Sequence, residues 1–483
     1  MPQERIIPAM KNRRLILSRA LSLLVAGLLI GGGLTTLHGQ SQAAKHRIAV
    51  FGSSVANGTG DELGKEGYTG RLREMMAPRG WDVVNQSRGG DNTKTMAPRF
   101  APDGPPQANT RYLLPANPNY VLLGLSLGNE GIANPDKDAI YKQFETGMHG
   151  FIDRSRENHI IPIVTNCYTR NTFTDVEYGY TRRMNLLINT WDVPSVNFLG
   201  AVDDGTGKWA RGFWWDALHP NASGHDEMTM TFVPTLFDAI EQGKPLPKKS
   251  AAAGFATVTN GVMPIEFEPA DAMHPFALAF DVRGESSVDI AAISGVALTA
   301  TTTTKQVAAG RGSAMRDLEE TTLTPSGQQV TARVSSVGGV WTYTTANGHE
   351  RLRSTVRADA AWHHIVISHY TARGETLFFV DGQLAGRAEE RFEPKRFVIG
   401  GPGASDMPTP TRRIDVKDLL IYRSALNADE VSAMAKGVLL QSSLEVYAPL
   451  ADATFKPGQP LQNLAQATTA ARVGDGTIAH VEK

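Results

Sequence analysis

Four short segments bring together residue types that can carry acyl transfer. Val50-Phe51-Gly52-Ser53-Ser54-Val55-Ala56-Asn57-Gly58 places a serine hydroxyl, that of Ser54, among small neighbours directly after an apolar run. Such neighbours let a substrate and the backbone approach closely. Asp216-Ala217-Leu218-His219 sets a carboxylate three residues before an imidazole. In a loop, that spacing lets Asp216 hold one ring nitrogen of His219 while the other takes a proton from a serine. Asn85-Gln86-Ser87-Arg88-Gly89-Gly90-Asp91-Asn92-Thr93 and Leu127-Gly128-Asn129-Glu130 add glycine amides and an asparagine side chain, donors that can converge on an oxyanion. Each segment by itself also reads as ordinary turn chemistry. The Asp-x-x-His pair also reads as a metal pair, which no accompanying cluster of His or Cys supports.

The elements that must position these residues follow an alternating grammar from 46 to 241. Buried-strand candidates are 46–53, 81–85, 119–126, 160–166 and 195–199, whose near-continuous apolar character suits a parallel sheet covered on both faces. Helix-like stretches lie between and after them, at Thr69–Met76, Asp136–Glu157, Glu177–Thr190 and Ser223–Glu241, with Asp136 expected as an N-cap. Strand–helix alternation predicts a three-layer α/β/α block with right-handed crossovers. In that block Ser54, Gly90 and Asn129 each follow a strand, at the carboxyl edge where open α/β sheets hold their ligands.

Residues 242–254 lack periodicity and read as a linker. Beyond them the grammar changes. FALAFDV (276–282), HHIVISHY (363–370), TLFFVDG (376–382) and RFVIGG (396–401) are β-branched and aromatic runs separated by turn residues. With Asp381-Gly382 as a hairpin signal they predict an all-β sandwich over 255–483. The threonine-rich run 299–304 reads as a loop or edge strand, Ala428–Lys436 as a short helix, and 444–452 as a returning strand. His363 and His364 are adjacent on a predicted strand and point to opposite faces, which argues against one shared metal ion.

Taken together, the four segments resemble the blocks of the SGNH, or GDSL-type, hydrolase family in order, spacing and position relative to strands over roughly 46–241. The resemblance implies a flavodoxin-like three-layer domain. It implies Ser54 as nucleophile, His219 as general base and Asp216 as the group orienting it. The amide of Ser54, the amide of Gly90 and the side chain of Asn129 would form the oxyanion hole. Two positions depart from the family pattern: Ser53 stands where an Asp usually precedes the nucleophile, and Glu130 where an Asp usually follows the asparagine. The block 255–483 is similar to laminin-G-like, concanavalin-A-like jelly-roll modules through Trp362-His363-His364, Val380-Asp381-Gly382 and Ile421-Tyr422-Arg423-Ser424-Ala425-Leu426.

Composition narrows the class without naming the chemistry. Lys+Arg number 48 against 49 Asp+Glu, a net charge of −1, so no global field draws nucleic acid or an anionic membrane. One cysteine, Cys167, excludes an intrachain disulfide and a multi-thiolate zinc site. Residues 1–43 combine basic residues, an apolar run from Ala20 to Leu34 and small residues after it, the signature of a signal peptide. An uncleaved N-terminal anchor is the alternative. Cleavage of residues 1–43 as a signal peptide takes away a net charge of about +4 and leaves a mildly acidic chain of about −5.

The expectation is therefore a secreted or periplasmic serine esterase that uses neither cofactor nor metal. Its expected substrate is an ester, an O-acyl or O-acetyl group on a carbohydrate, with Trp214 and Trp215 as candidate substrate contacts and a glycan or protein ligand for the second block. No nucleic-acid partner is expected, and no integral membrane span after signal cleavage. The competing readings are a lipolytic, lysophospholipase-like esterase, an acyl transferase to sugar, and a non-catalytic glycan-binding or adhesion protein.

Overall fold

Ile48 and Val50 of the first strand face one hydrophobic layer, and Ala49 and Phe51 the other. This alternation makes the first half of the chain a sheet between two helical layers. In the computed structural model, which describes residues 46–259, 264–284, 289–308, 315–400, 413–451, 455–474 and 479–482, the expected signal segment 1–43 lies outside the described residues.

The first half runs β1 (Arg47–Gly52), α1 (Ser54–Asn57), α2 (Gly67–Met76), β2 (Asp82–Asn85), α3 (Thr93–Met96), β3 (Tyr120–Gly124), α4 (Leu127–Glu130), α5 (Lys137–Glu157), β4 (Ile161–Thr165), α6 (Asp175–Ile188), β5 (Ser195–Val196), α7 (Leu199–Val202), α8 (Ala222–Met230) and α9 (Leu236–Glu241). The five strands are parallel in the order β2-β1-β3-β4-β5. That is the flavodoxin-like order, in which the direction of winding reverses between β1 and β3. Leu72, Met76, Met228, Phe232 and Phe237 cover one face of the sheet. Phe144, Met148, Phe151, Met184 and Ile188 cover the other. The crevice between the carboxyl ends of β1 and β3 is tight: a Cβ on Gly52 would collide with the Gly124 carbonyl.

Three sequence expectations need correction here. The fifth strand stops at Val196, because Leu199–Val202 turns into helix α7. The stretch Ser223–Glu241 is two helices rather than one; Pro234 lies in the break between them and has no N–H to continue the ladder. Asp136 stands at the N-cap position of α5, but its side chain makes no capping bond.

The second half contains β6 (Phe255–Thr259), β7 (Ile265–Phe267), β8 (Phe276–Gly284), β9 (Asp289–Ala308), β10 (Met315–Val337), β11 (Val340–Thr344), β12 (Arg351–Arg357), β13 (His363–Tyr370), β14 (Glu375–Val380), β15 (Gln383–Glu389), β16 (Phe392–Ile399), β17 (Arg413–Tyr422), α10 (Ala428–Ala435), β18 (Leu444–Ala448), β19 (Arg472–Val473) and β20 (Ala479–Glu482). Two antiparallel sheets, β12-β11-β10-β9-β16-β7-β19 and β15-β14-β13-β8-β17-β6-β20, enclose one apolar core that includes Phe280, Trp341, Ile367 and Phe397. The β14–β15 hairpin turns on Asp381 (φ 50°) and Gly382 (φ 78°). Two positive φ values match the primed turns that follow strand twist, as Asp-Gly foretold.

The threonine run is not a loop. Thr299–Thr304 lies within β9 and pairs with Thr324–Glu319 of β10. Beyond Ala297, the last residue of β9 that pairs with β16, strands β9 and β10 continue as a two-stranded ribbon. The near-continuous run of threonines suits this, since β-branched residues favour extended backbone.

The two halves share buried polar contacts along the β5 edge. The Ser443 N–H donates to the Ser195 carbonyl at 3.1 Å, and the Asn197 N–H donates to Ser443 Oγ at 2.8 Å. Asn197 Nδ2 donates to Glu430 Oε1 at 2.9 Å. Chain from the second half thus caps an edge strand of the first, which removes unpaired backbone groups from solvent. Residues 242–254 have no helix or strand after α9, yet the Ser250 N–H donates to Tyr447 Oη at 2.8 Å.

Candidate active site

Ser54 opens α1 immediately after β1, so the buried strand fixes its position at the carboxyl edge of the sheet. His219 reaches it from the loop before α8. His219 Nε2 lies 2.9 Å from Ser54 Oγ, and Nδ1 lies 2.9 and 3.0 Å from the two oxygens of Asp216. An ionised carboxylate only accepts, so Nδ1 carries the proton and Nε2 is left to accept from the serine hydroxyl.

The loop from Trp214 to Pro220 is a closed turn that holds this arrangement. The Trp215 N–H donates to the His219 carbonyl at 2.8 Å, and Asp216 Oδ1 accepts the N–H groups of Leu218 (2.8 Å) and His219 (3.0 Å). Burial pushes the Asp216 carboxyl up, but the His219 side chain and these backbone donors outweigh it and hold the group below the usual range. Asp216 therefore stays charged, ready to stabilise an imidazolium.

Donors surround the serine. Among the described residues neither the Ser54 N–H nor the Gly90 N–H donates to another backbone group. Gly90 has φ 83°, a left-handed conformation that glycine adopts without strain. A Cβ on neighbouring Gly89 would stand 3.8 Å from the Ser54 Cβ, so this turn lies against the serine. Asn129 Oδ1 accepts from the Ser126 N–H at 3.0 Å and from the Tyr168 hydroxyl at 3.2 Å. With the oxygen engaged twice, the amide nitrogen is the end left to act as a donor.

The two departures have distinct settings. Ser53 is fully buried and its Oγ has no partner. Glu130, also buried, accepts from the Thr93 N–H at 2.9 Å and from the Thr93 hydroxyl and the Gln143 amide. It thereby joins the turn bearing Gly90 to the helix bearing Asn129.

Among the aromatic residues before Asp216, Trp209 and Phe213 are buried and Trp214 packs half-buried against the sheet layer. Trp215 is half-buried, with the Arg316 guanidinium 4.7 Å from its ring centroid. His225 is fully buried, accepting from the Tyr68 N–H through Nδ1 at 3.1 Å and facing the Thr59 carbonyl through Nε2 at 3.2 Å. Burial drops its pKa to about 4, so it is a neutral structural histidine. Cys167 is buried and its thiol is pushed up to about 12 by that burial, which makes it inert. His363 faces Asp381 and Asp359 while His364 faces Asp281, so their ring nitrogens have separate partners.

Sequence reasoning missed the ribbon. The Thr321 N–H donates to the Gly212 carbonyl at 2.9 Å, Arg211 pairs with Glu319 at 2.9 Å, and Lys305 bridges Glu62 (3.1 Å) and Glu320 (2.7 Å). Arg316 also donates to the Trp215 carbonyl. The outer part of β9 and β10 is thus docked on the loop that carries Asp216 and His219. Its signal in the sequence was the β-branched character of the Thr-rich run 299–304, which has no local feature saying where it lands.

Residues 50–227 match the model of the GDSL-like Lipase/Acylhydrolase family. Solved structures similar to the chain include a GDSL-like lipase from Bacteroides thetaiotaomicron, 15% identical, covering 41% of this chain and 88% of that one with a TM-score of 0.30. Another is Axe2, an acetylxylan esterase from Geobacillus stearothermophilus, 13% identical, covering 38% of this chain and 91% of that one with a TM-score of 0.31. No curated protein matches the chain. The chain is an ester-bond hydrolase carrying, over residues 50–227, a domain of the GDSL-like lipase/acylhydrolase family.

Proposed function

We propose that the protein is an exported serine esterase that removes O-acyl groups, O-acetyl among them, from a carbohydrate. The observation that carries the catalytic part is the unbroken line from the Asp216 carboxylate through His219 to Ser54 Oγ, with contacts of 2.9–3.0 Å. His219 Nε2 takes the Ser54 proton as Oγ attacks the ester carbonyl. The amides of Ser54 and Gly90 and the Asn129 side chain receive the oxyanion. His219 then returns the proton to the departing alcohol, leaving an acyl-enzyme. Water, deprotonated by His219, attacks that acyl group; the acid leaves and Ser54 regains its proton.

The carbohydrate part rests on the company the catalytic block keeps. The antiparallel sandwich is read as a laminin-G-like jelly roll, a module type associated with glycan or protein ligands. Its ribbon adds surface beside the triad, and Trp214 and Trp215 remain the candidate sugar contacts. The export reading rests on residues 1–43 alone; among the described residues no helix is long and apolar enough to cross a membrane. One observation favours the lipolytic alternative: Leu218, between Asp216 and His219, is exposed and offers an apolar acyl contact.

Acid release from acetylated xylan, compared with turnover of aryl esters of increasing chain length, separates the two. Preference for the acetylated polymer and short acyl chains supports the proposal. A rate that climbs with chain length and no release from the polymer overturns it. A serine-reactive fluorophosphonate that fails to label Ser54 in the folded protein restores the non-catalytic reading.

A further inference from the structure

Three guanidinium groups stand against the elements that carry the triad and the oxyanion donors, and none of them has a carboxylate partner among the described residues. Arg111 donates through Nη1 to Asn57 Oδ1 at 2.7 Å and to the Ser87 carbonyl at 3.0 Å. It therefore bridges α1, which begins at Ser54, and the turn that carries Gly90. Arg170 donates to the Gly128 carbonyl at 2.7 Å, one residue before Asn129, and its Nε has no partner. The guanidinium lies so close on that backbone that a Cβ on Gly128 would collide with it. The following residue, Asn171, donates its N–H to the Ala217 carbonyl at 2.9 Å, which sets Arg170 beside the Asp216–His219 turn as well. Arg316, from the ribbon, covers Trp215 and donates to its carbonyl.

The local carboxylates are engaged elsewhere. Asp216 is held by His219, Glu130 is buried under Thr93 and Gln143, and Glu62 pairs with Lys305. Neighbouring arginines of the same end of the sheet do have acidic partners: Arg88 with Asp91 and Arg211 with Glu319. Three cations thus stand against the segments that carry the site, Arg111 and Arg170 from loops and Arg316 from β10, held by neutral oxygens and, for Arg316, by the Trp215 ring. Like charges gathered this way raise the local potential and favour an anion arriving from solvent. The planar guanidinium fork matches carboxylate and phosphate oxygens, whereas a neutral sugar hydroxyl leaves its charge uncompensated.

From this geometry we infer that the ester cleaved at Ser54 belongs to a polyanion: the alcohol portion carries a carboxylate or phosphate group that Arg111, Arg170 and Arg316 receive. The inference rests on the esterase reading of the site and names its substrate class. An anion held on this rim would fix the acylated hydroxyl over Ser54 without occupying the oxyanion donors.

The test uses the full chain. Acid release is measured from O-acetylated polygalacturonate, from an O-acetylated glycerol phosphate polymer and from acetylated xylan, at about 20 and about 500 mM salt, where surface attraction is strong and then screened. The expected result is kcat/KM about tenfold higher on one of the anionic polymers than on xylan at low salt, the advantage collapsing at high salt. Which anionic polymer is preferred distinguishes carboxylate from phosphate. Arg111→Gln, Arg170→Gln and Arg316→Gln are each expected to lower the anionic-to-neutral ratio about fivefold to tenfold, the size of a solvent-exposed charge pair at low salt, with Lys at the same positions restoring part of it.

Binding of unacetylated oligogalacturonate, oligoglycerol phosphate and xylo-oligosaccharide to Ser54→Ala is measured by calorimetry in parallel, because it needs no turnover. Anion binding that disappears in the triple Gln variant, in a protein inactive on every ester, would sink the esterase reading and keep the anion rim. Activity on 4-nitrophenyl acetate with equal handling of anionic and neutral polymers would overturn this inference and leave the esterase reading intact. Gln variants that lose activity in equal proportion on all three polymers would also overturn it, since that is the mark of a structural role.

Discussion

The buried carboxylate of Glu130 accepts the backbone N–H of Thr93 at 2.9 Å, so one side chain sets the spacing between the Gly90 turn and the Asn129 helix. Oxyanion donors contribute only when aimed correctly, and losing one typically costs about a hundredfold in rate or more. Glu130→Gln keeps the shape but turns one acceptor into a donor facing Thr93. The expected outcome is a fall in kcat of about tenfold with little change in KM. Steady-state kinetics on an aryl acetate checks it; a change confined to KM would show that Glu130 does not aim the donors.

Removing the proposed nucleophile or the proposed base is expected to be far more severe. Ser54→Ala and His219→Ala should each lower esterase activity by at least about 10³-fold, and Asp216→Asn by a comparable amount because it disfavours the tautomer that His219 needs. Combining any two should add little, since the three act as one unit. Additive losses in the double variants would contradict that.

Docking of the ribbon can be tested at Gly212. Its φ is 83°, its carbonyl accepts from the Thr321 N–H and from Asn221 Nδ2, both at 2.9 Å, and a Cβ there would collide with the Thr321 side chain. Gly212→Ala is expected to cost roughly 1–3 kcal/mol of stability and to lower kcat, because the loop bearing Asp216 loses its outer support. Thermal unfolding and kinetics on the same preparation read both effects. A variant with wild-type kcat would show that the ribbon is not needed to hold the loop.

Acid sensitivity should come from buried neutral histidines. His225 has its pKa dropped from 6.5 to about 4 by burial, and His369 to about 3 for the same leading reason. A depressed native pKa means that the unfolded chain binds the extra proton first. The stabilisation is fully present above about 6.5 and is lost as pH falls through 4 and then 3, at about 3 kcal/mol for His225. Urea unfolding at pH 7 and near pH 4.5 should show the decline, and His225→Gln should flatten it.

Glu430 has the opposite sign. Burial pushes its carboxyl up to about 8, where it accepts from Asn197 Nδ2 at 2.9 Å and from the Asn427 N–H at 2.8 Å. A raised native pKa means that the folded state holds the proton longer. Its contribution is complete below about 4.5, declines as pH rises, and is gone above about 8. Thermal unfolding followed from pH 6 to pH 9 should show an alkaline drop that Glu430→Gln reduces. An unchanged slope in the variant would place the titrating group elsewhere.

Local pattern alone determined a good part of this protein. The apolar runs around Ile48–Phe51, Tyr120–Leu123 and Ile163–Val164 announce a buried parallel sheet because they are apolar on both faces. The spacing of Asp216 and His219, and the positions of Ser54, Gly90 and Asn129 just after strands, follow from residue type and chain order. Asp381-Gly382 foretold its hairpin because few residue pairs tolerate two positive φ values. What only the tertiary structure decided depends on contacts between residues far apart in the chain. The Thr-rich strand carries no local mark of the loop it meets about 100 residues earlier, and Glu130 reads as a simple replacement until Thr93 is seen beside it. Arg111, Arg170 and Arg316 are ordinary surface charges by composition. Their meaning as a group comes from the segments they rest on, which the fold brings to the loops around Ser54 and His219, because charges add by distance in space and not by distance along the chain.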